Sequence, residues 1–215
     1  MNGSQLVDEF PVPLREHVEN NELLAAARAE QADTSQLKRL LLAEFQAQEA
    51  EFTTYSTLVA RFHHEIPGSL FVFIADTLMK ARRFLVQDVV GSVGMTADDM
   101  RQAPISPQVK RFTEFISWVA LHAGAGEAAL LARTDFVLWC GVCAPLADAL
   151  RAPGIPSEVQ AYVQHYAELP PEVADGAVEV VDFGLAAGER EEWVTRSAPA
   201  MEPLLRGFWH FVAAG

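Results

Sequence analysis

One uninterrupted amphipathic segment restricts what this chain of 215 residues can fold into. Residues 35–64 contain neither glycine nor proline, and their apolar side chains recur every three or four positions, which is the spacing of one face of an α-helix. The residues of this face are Leu37, Leu40, Leu41, Phe45, Phe52, Tyr55, Leu58, Val59 and Phe62. The segment therefore predicts a long amphipathic helix whose apolar face is buried.

Helix-start and helix-stop signals divide most of the remaining chain into further helices. Thr96, followed by Asp98 and Asp99, is typical of a capped helix start, and Ser106 before Pro107 repeats that signal. We expect Pro67–Gly68 to end the first long helix. Residues 178–183 have the β-branched content of a strand, but a lone strand has nothing to pair with. About eight helices and no βαβ alternation predict an all-α fold.

The length and the composition favour one domain with a preceding arm. Apolar residues make up 50% of the chain and charged residues 21%, which is enough apolar content to build a core. No repeat, low-complexity tract or long linker divides the chain. Pro11 and Pro13 lie in a stretch without periodicity. We therefore expect a flexible N-terminal arm over residues 1–13 and a single helical domain over residues 14–215.

The charge balance limits the partners of the protein. The formal net charge is −13, which argues against binding to nucleic acid or to an anionic membrane. The longest apolar run, residues 136–147, is too short to cross a bilayer. The N-terminal sequence lacks the features of a signal peptide, and the two cysteines fit a reducing compartment. We expect a soluble cytoplasmic protein with no nucleic-acid partner and no membrane partner.

Cys140 and Cys143 allow several interpretations. A thioredoxin-type redox pair needs a preceding strand and a βαβ framework, and the chain offers neither. A zinc site needs two more ligands at suitable spacing, and these are also missing. Two interpretations stay open: Cys140 is a nucleophile that lines a pocket, or both cysteines are small core residues. Pro145 bends the same helix and frees the carbonyl of Gly141, next to Cys140.

Glu44 is a carboxylate inside a strongly apolar helical stretch. It lies close to the stripe formed by Leu41 and Phe45. Its side chain is therefore either in water at the edge of the stripe or buried for a functional reason, because an unpaired buried charge is costly.

Four segments resemble the TenA family of the heme-oxygenase-like superfamily, which also contains PqqC. Residues 17–48 resemble the opening of the family: a histidine before a short helix, a polar turn, and a long helix with a central acid. Residues 110–143 resemble its middle, where an aromatic-Thr-x-aromatic helix and a small-residue turn precede a helix with a cysteine. AYVQHYAEL and LLRGFWHFV resemble its last two signatures. The resemblance extends from about His17 to Trp209.

The resemblance implies a bundle of long helices around one internal pocket. Many family members are thiaminase II enzymes, which hydrolyse thiamin-related aminopyrimidines with a cysteine nucleophile and carboxylates. Cys140 falls at the position of the nucleophile and Glu44 at that of the acid that contacts the pyrimidine, which makes both of them the implied catalytic residues. Tyr166, Phe112 and Phe208 fall at positions that line the pocket and bind the substrate. The resemblance further implies a small-molecule ligand, no cofactor, and self-association into a homo-oligomer.

Three residues depart from the family pattern. Ala47 and Ala144 replace expected tyrosines and enlarge the predicted pocket, and Leu205 replaces the catalytic glutamate. Di-iron branches of the superfamily carry an acid and a histidine on their third helix, but the corresponding residues 71–95 contain no histidine, so no metal site is expected. Two hypotheses follow. The first is a cysteine-dependent hydrolase of thiamin metabolism that acts on an aminopyrimidine or another heteroaromatic amine. The alternative is a diverged member that binds a small molecule without thiaminase chemistry, or a heme-oxygenase-like oxidoreductase with a different cofactor.

Overall fold

The computed structural model describes residues 2–214, which form helices joined by short turns and contain no strand. The α-helices are α1 (Gly3–Glu9), α2 (Leu14–Glu19), α3 (Glu22–Arg28), α4 (Thr34–Arg61), α5 (Glu65–Phe84), α6 (Ala97–Gln102), α7 (Pro107–His122), α8 (Ala125–Ala149), α9 (Ser157–Gln164), α10 (Pro171–Ala186), α11 (Glu191–Val194) and α12 (Met201–Ala213). A π-helical turn (Leu85–Val89) and a 3-10 turn (Val90–Val93) extend α5, and another 3-10 turn (Ala198–Ala200) precedes α12. The predicted all-α class is confirmed.

The long helix predicted over residues 35–64 is α4, which packs against α5 and α7. A capping box starts it: the Asp33 carboxylate accepts from the Gln36 backbone N–H, and the Gln36 side chain accepts from the Asp33 N–H. The helix ends at Arg61, before Pro67, so the prediction that Pro67–Gly68 ends it is wrong. Pro67 instead lies in the first turn of α5, where a helix needs no N–H donor and therefore tolerates proline.

Two predicted helix starts are confirmed. The Thr96 hydroxyl accepts from the Asp99 backbone N–H at the start of α6, and the Asp99 carboxylate accepts from the Thr96 backbone N–H. The Ser106 hydroxyl caps α7, whose first residue is Pro107. Residues 178–183 are helical, as expected, and lie within α10.

Helix α8 is the core helix of the bundle. It is long and apolar enough to cross a membrane by length and composition alone, but 67% of its most apolar window is buried inside the protein. It packs against α2, α3, α9, α10 and α12, so apolar side chains on nearly all of its faces meet other helices. Pro145 lies inside this helix without ending it.

The N-terminal arm expected over residues 1–13 is largely helical, because residues 3–9 form α1. Leu6 and Val7 are buried, and the Gly3 backbone N–H donates to the Asp182 carboxylate of α10. Helical periodicity is not visible in so short a segment, and its stability comes from packing on α10. The described residues form more helices than the eight or so expected. The additional helices are short, so their periodicity is not visible in the sequence either.

Candidate ligand-binding site

A narrow internal cavity lies among α4, α5, α7, α8 and α12. Its lining combines acidic and amide side chains with aromatic and aliphatic ones. The lining residues are Glu44, Ala47, Gln48, Glu51, Leu78, Phe112, Asp135, Phe136, Trp139, Tyr166, Leu205 and Phe208. About 30 Å³ of the cavity is open to the centres of water molecules, which is room for roughly two of them. A ring-shaped ligand therefore fits only when wall side chains move.

Helix α4 supplies one wall of the cavity. Glu44, Ala47, Gln48 and Glu51 follow one another at steps of three or four residues and so share one face of the helix. All four side chains are buried. The face that the sequence marks as apolar in most of α4 thus becomes polar where it borders the cavity.

Glu44 accepts hydrogen bonds from two neighbours. The Tyr162 hydroxyl donates to Glu44 Oε2 at 2.7 Å, and Gln48 Nε2 donates to the same oxygen at 3.2 Å. Gln48 Nε2 also lies 2.6 Å from the Tyr162 hydroxyl and 3.0 Å from that of Tyr166. Burial raises the pKa of Glu44 to about 7, although the bond from Tyr162 works in the opposite direction. Glu44 therefore exchanges its proton near neutral pH.

Gln48 also brings an unused acceptor to the cavity. Its amide nitrogen is occupied by the bonds to Glu44 and the tyrosines. Its Oε1 is buried and has no hydrogen-bond partner. A buried acceptor without a partner costs free energy, so this atom favours a ligand that donates a hydrogen bond.

Glu51 and Asp135 form a carboxyl pair across the cavity, from α4 and α8. Burial raises the pKa of Asp135 to about 7, and the hydrogen bond from Glu51 partly opposes that effect. Burial, followed by the charges of Asp135 and Glu44, raises the pKa of Glu51 well above its ordinary value. Glu51 thus keeps its proton at neutral pH and donates a hydrogen bond to Asp135, whose own proton exchanges in that pH range.

No base neutralises these three acids. The lining contains no lysine, arginine or histidine, and no ion pair within residues 2–214 includes Glu44, Glu51 or Asp135. Helix α12 adds no carboxyl group either, because Glu202 lies in a separate cleft beside His17, 3.2 Å from its Nδ1. The polar end of the cavity is therefore acidic and rich in acceptors.

Aromatic rings form part of the cavity wall, and two of them meet the ring of Trp139 at nearly right angles. The ring of Trp139 meets that of Tyr166 at 88°, with centroids 6.1 Å apart, and that of Phe208 at 87° and 5.4 Å. Trp209 stacks behind Trp139 at 4.6 Å. Such edge-to-face contacts hold the rings in place and give the cavity an aromatic part of its wall beside the acids.

Five of the seven residues that the resemblance assigns to the site line this cavity: Glu44, Ala47, Phe112, Tyr166 and Phe208. Cys140 and Ala144 do not line it. Cys140 is buried in the core, and burial raises the pKa of its thiol to about 12, so the sulfur is protonated at neutral pH. Both cysteines are free thiols.

The cavity places Asp135 and Trp139 where the resemblance suggested Cys140 and Ala144. The two positions that the resemblance assigns on this helix, Cys140 and Ala144, are four residues apart. Asp135 and Trp139 have the same spacing, and their side chains line the cavity. Leu205, which replaces the expected glutamate, does line the cavity. The role predicted for Cys140 stays a prediction, but its position gives it no direct access to a ligand in this cavity.

The sequence interpretation missed Gln48, Glu51, Asp135 and Trp139. Gln48 and Glu51 follow Glu44 by four and seven positions, so they share its helix face, and that spacing was a usable signal. Asp135 carried another signal, because it is a lone acid in an apolar stretch. Among the described residues, no group of three or more His, Cys, Asp or Glu side chains is arranged to hold a metal ion.

Comparison with known proteins identifies the architecture. No family model matches the sequence, and no curated protein matches it either. Among solved structures, a TenA family transcription regulator from a Silicibacter species matches with a TM-score of 0.75 and 11% identity, over 99% of this chain and 96% of the other. A TenA homolog from Pseudomonas syringae pv. tomato matches with a TM-score of 0.70 and 11% identity, over 97% and 91%.

A third solved structure shares the same architecture. It is a domain of unknown function with a heme oxygenase-like fold from Shewanella denitrificans, with a TM-score of 0.73 and 11% identity, over 99% of this chain and 92% of the other. At this identity the likeness concerns the fold, and it extends over nearly the whole length of both chains.

Proposed function

We propose that this chain, which has the heme oxygenase-like fold of the TenA proteins, binds a small aminated heteroaromatic base in its central cavity. An aminopyrimidine is the type compound. The observation that carries the proposal is the cavity itself, in which three buried carboxyl groups and the unpartnered Gln48 Oε1 face aromatic walls without a basic residue.

The lining complements both the hydrogen-bonding edge and the flat faces of such a base. An aminopyrimidine presents a ring nitrogen and an adjacent amino group along one edge, and when protonated it donates two parallel hydrogen bonds to one carboxylate. Glu44 is the carboxyl group suited to that edge, because Tyr162 and Gln48 hold it in place. The faces of the ring then lie against Phe112, Tyr166 and Phe208.

The groups that exchange protons in this cavity are carboxyl groups. Asp135 and Glu44 both titrate near neutral pH, where general acid–base catalysis is most efficient. Hydrolysis of the kind that the TenA resemblance implies needs a group that takes a proton from the attacking water. Asp135 supports that role by its position in the cavity, whereas Cys140 lies outside the lining. Self-association and a cytoplasmic location remain predictions from the sequence.

The binding test is isothermal calorimetry with an aminopyrimidine that bears an aminomethyl group, at pH 7. We expect binding to the wild type and a loss of about tenfold or more in affinity for Glu44→Gln, because Gln cannot accept both hydrogen bonds of the protonated edge. Glu49→Gln is the matched control, since Glu49 is exposed on the same helix. Equal affinity in all three proteins would contradict the proposal.

The activity test follows loss of the aminomethyl amine from the same compound by chromatography. Asp135→Asn and Cys140→Ser are compared with the wild type. If carboxyl groups do the chemistry, Asp135→Asn lowers the rate by about 10²-fold or more and Cys140→Ser leaves most of it. If Cys140→Ser lowers the rate strongly and Asp135→Asn does not, the cysteine is the nucleophile. Binding without turnover in the wild type would identify a diverged protein that binds its ligand without hydrolysing it.

A further inference from the structure

We infer that the cleft between α12 and the junction of α2 with α3 is a second ligand site, which binds the edge of a neutral lactam or primary amide group. His17, Asn21 and Trp209 line this cleft. Each brings one buried polar atom without a hydrogen-bond partner, namely His17 Nε2, Asn21 Nδ2 and Trp209 Nε1. The inference is independent of the ligand proposed for the central cavity, because the two sites share no lining residue.

Three separate elements bring these atoms to one cleft. His17 lies in the last turn of α2, and Asn21 is the N-cap residue of α3. Trp209 belongs to α12, which packs against α3. About 560 Å³ of the cleft is open to the centres of water molecules, a volume typical of sites for small molecules.

The burial of the three side chains makes their missing partners costly. Each side chain is at most 4% exposed, so bulk water at the mouth of the cleft does not replace the partner. A buried polar atom without a partner lowers the stability of the folded protein. A ligand group that supplies all three partners at once recovers this free energy on binding.

The three atoms offer two donors and one acceptor. Asn21 Oδ1 accepts from the Leu24 backbone N–H at 2.9 Å, so the free atom of this amide is its N–H donor, and the indole nitrogen of Trp209 also donates. The Glu202 carboxylate lies 3.2 Å from His17 Nδ1, which places the hydrogen on Nδ1 and leaves Nε2 of the neutral ring as an acceptor. Burial lowers the pKa of His17, which favours the neutral ring.

The charged side chains of the cleft argue against an ionic ligand. Among the described residues that line the cleft, Arg206 is the only lysine or arginine, and its Nη2 donates to Glu202 Oε2 at 2.6 Å. His210 Nδ1 lies 3.1 Å from the Glu22 carboxylate. An anion would therefore compete with two carboxylates for the same cations, and an ammonium group has no acceptor for the two free donors.

A lactam or a primary amide complements this pattern. Its carbonyl oxygen has two lone pairs, which accept from Asn21 and Trp209, and its N–H on the same edge donates to His17. A peptide bond does not fit, because its trans geometry places the N–H on the side opposite to the carbonyl. The ligand class is therefore narrower than amides in general.

Nuclear magnetic resonance of the full chain with isotope-labelled tryptophan tests the inference at the Trp209 indole N–H, whose signal Trp209→Phe assigns. The probes are pyrrolidone, a lactam, and N-methylpyrrolidone, which lacks the N–H. We expect pyrrolidone to shift the Trp209 signal saturably, while the signals of Trp118 and Trp193, exposed outside the cleft, stay in place. The methylated compound should bind about fivefold or more weakly, because it cannot donate to His17.

Asn21→Asp locates the binding in this cleft. Aspartate keeps an oxygen that caps α3 but replaces the free N–H donor by an acceptor, so the variant should fold and bind pyrrolidone about tenfold or more weakly. Asn2→Asp is the matched control, since Asn2 caps α1 in the same way outside the cleft, and its affinity should stay within about twofold of the wild type.

Three results would overturn the inference. The first is a Trp209 signal that pyrrolidone leaves in place. The second is equal affinity for the two lactams, or equal affinity of Asn21→Asp and the wild type for pyrrolidone. The third is a Trp209 signal that responds to acetate but not to pyrrolidone, which would identify an anion site instead.

Discussion

The burial of the Glu44 carboxyl group in the cavity makes the stability of the folded chain depend on pH. A carboxyl group with an ordinary pKa of 4.5 is fully buried beside two other acids, and burial raises its pKa to about 7. The folded protein therefore binds this proton more tightly than the unfolded chain does. By linkage, the contribution of Glu44 to stability is fully present below about pH 4.5 and is lost as the pH rises to about 7.

The pH dependence of stability tests that conclusion. Glu44→Gln removes the titrating group. The unfolding free energy of the variant minus that of the wild type should therefore increase by roughly 3 kcal/mol as the pH rises from 5 to 8. Urea denaturation at several pH values measures the difference. The comparison between the two proteins cancels the opposite contribution of His17, whose pKa burial lowers. A difference that does not change with pH would show that Glu44 titrates normally in the folded protein.

At the scale of elements, α8 and α10 cross with their backbones in close contact. A Cβ atom added to Gly184 of α10 would lie 2.9 Å from the backbone nitrogen of Gly126, which is too short for real atoms. The same region caps α8: the Glu189 carboxylate accepts from the backbone N–H groups of Gly126 at 3.1 Å and Glu127 at 3.4 Å. The core helix is thus positioned by a backbone-to-backbone approach that only glycine permits.

Two glycine substitutions in α10 should have opposite effects. Gly184→Ala forces α8 and α10 apart and should lower the free energy of unfolding by about 1–3 kcal/mol. At Gly176, the matched control, a Cβ atom would only touch the end of the Leu70 side chain at 3.4 Å. Gly176→Ala should therefore raise stability by up to about 1 kcal/mol, because alanine favours the helix. Urea denaturation of both variants measures these changes. A Gly184→Ala protein as stable as the wild type would contradict the close approach of α8 and α10.

At the scale of the whole molecule, α1 belongs to the folded unit but not to the cavity. Its Leu6 and Val7 are buried, and it packs on α10. The residues that line the cavity come from α4, α5, α7, α8, α12 and the turn after α9. Part of the stability therefore comes from a helix that contributes nothing to the cavity.

Deletion of residues 1–10 should separate the two properties. The loss of the buried Leu6 and Val7, offset by the entropy of ordering α1, should lower the free energy of unfolding by roughly 1–3 kcal/mol. The affinity for the aminopyrimidine should stay within about twofold of the wild type. Thermal unfolding and calorimetry give the two readings. Unchanged stability would support the flexible arm that the sequence predicts.

The sequence by itself determined the features that depend on local contacts. The periodicity of residues 35–64 defined α4, and the capping residues Thr96 and Ser106 defined the starts of α6 and α7. Glu44 also stood out locally, because a charge within an apolar face is conspicuous. Each of these signals comes from residues within a few positions of one another, where helical geometry alone fixes the neighbours.

Only the tertiary structure decided which face of α8 borders the cavity. This helix is buried on nearly all sides, so its sequence shows no polar face from which an orientation can be derived. The crossing at Gly126 and Gly184 sets its position against α10, and in the assembled bundle Asp135 and Trp139 rather than Cys140 face the cavity. The meeting of Asp135 with Glu51 depends on packing between helices distant in sequence, and for that reason the local pattern could not predict it.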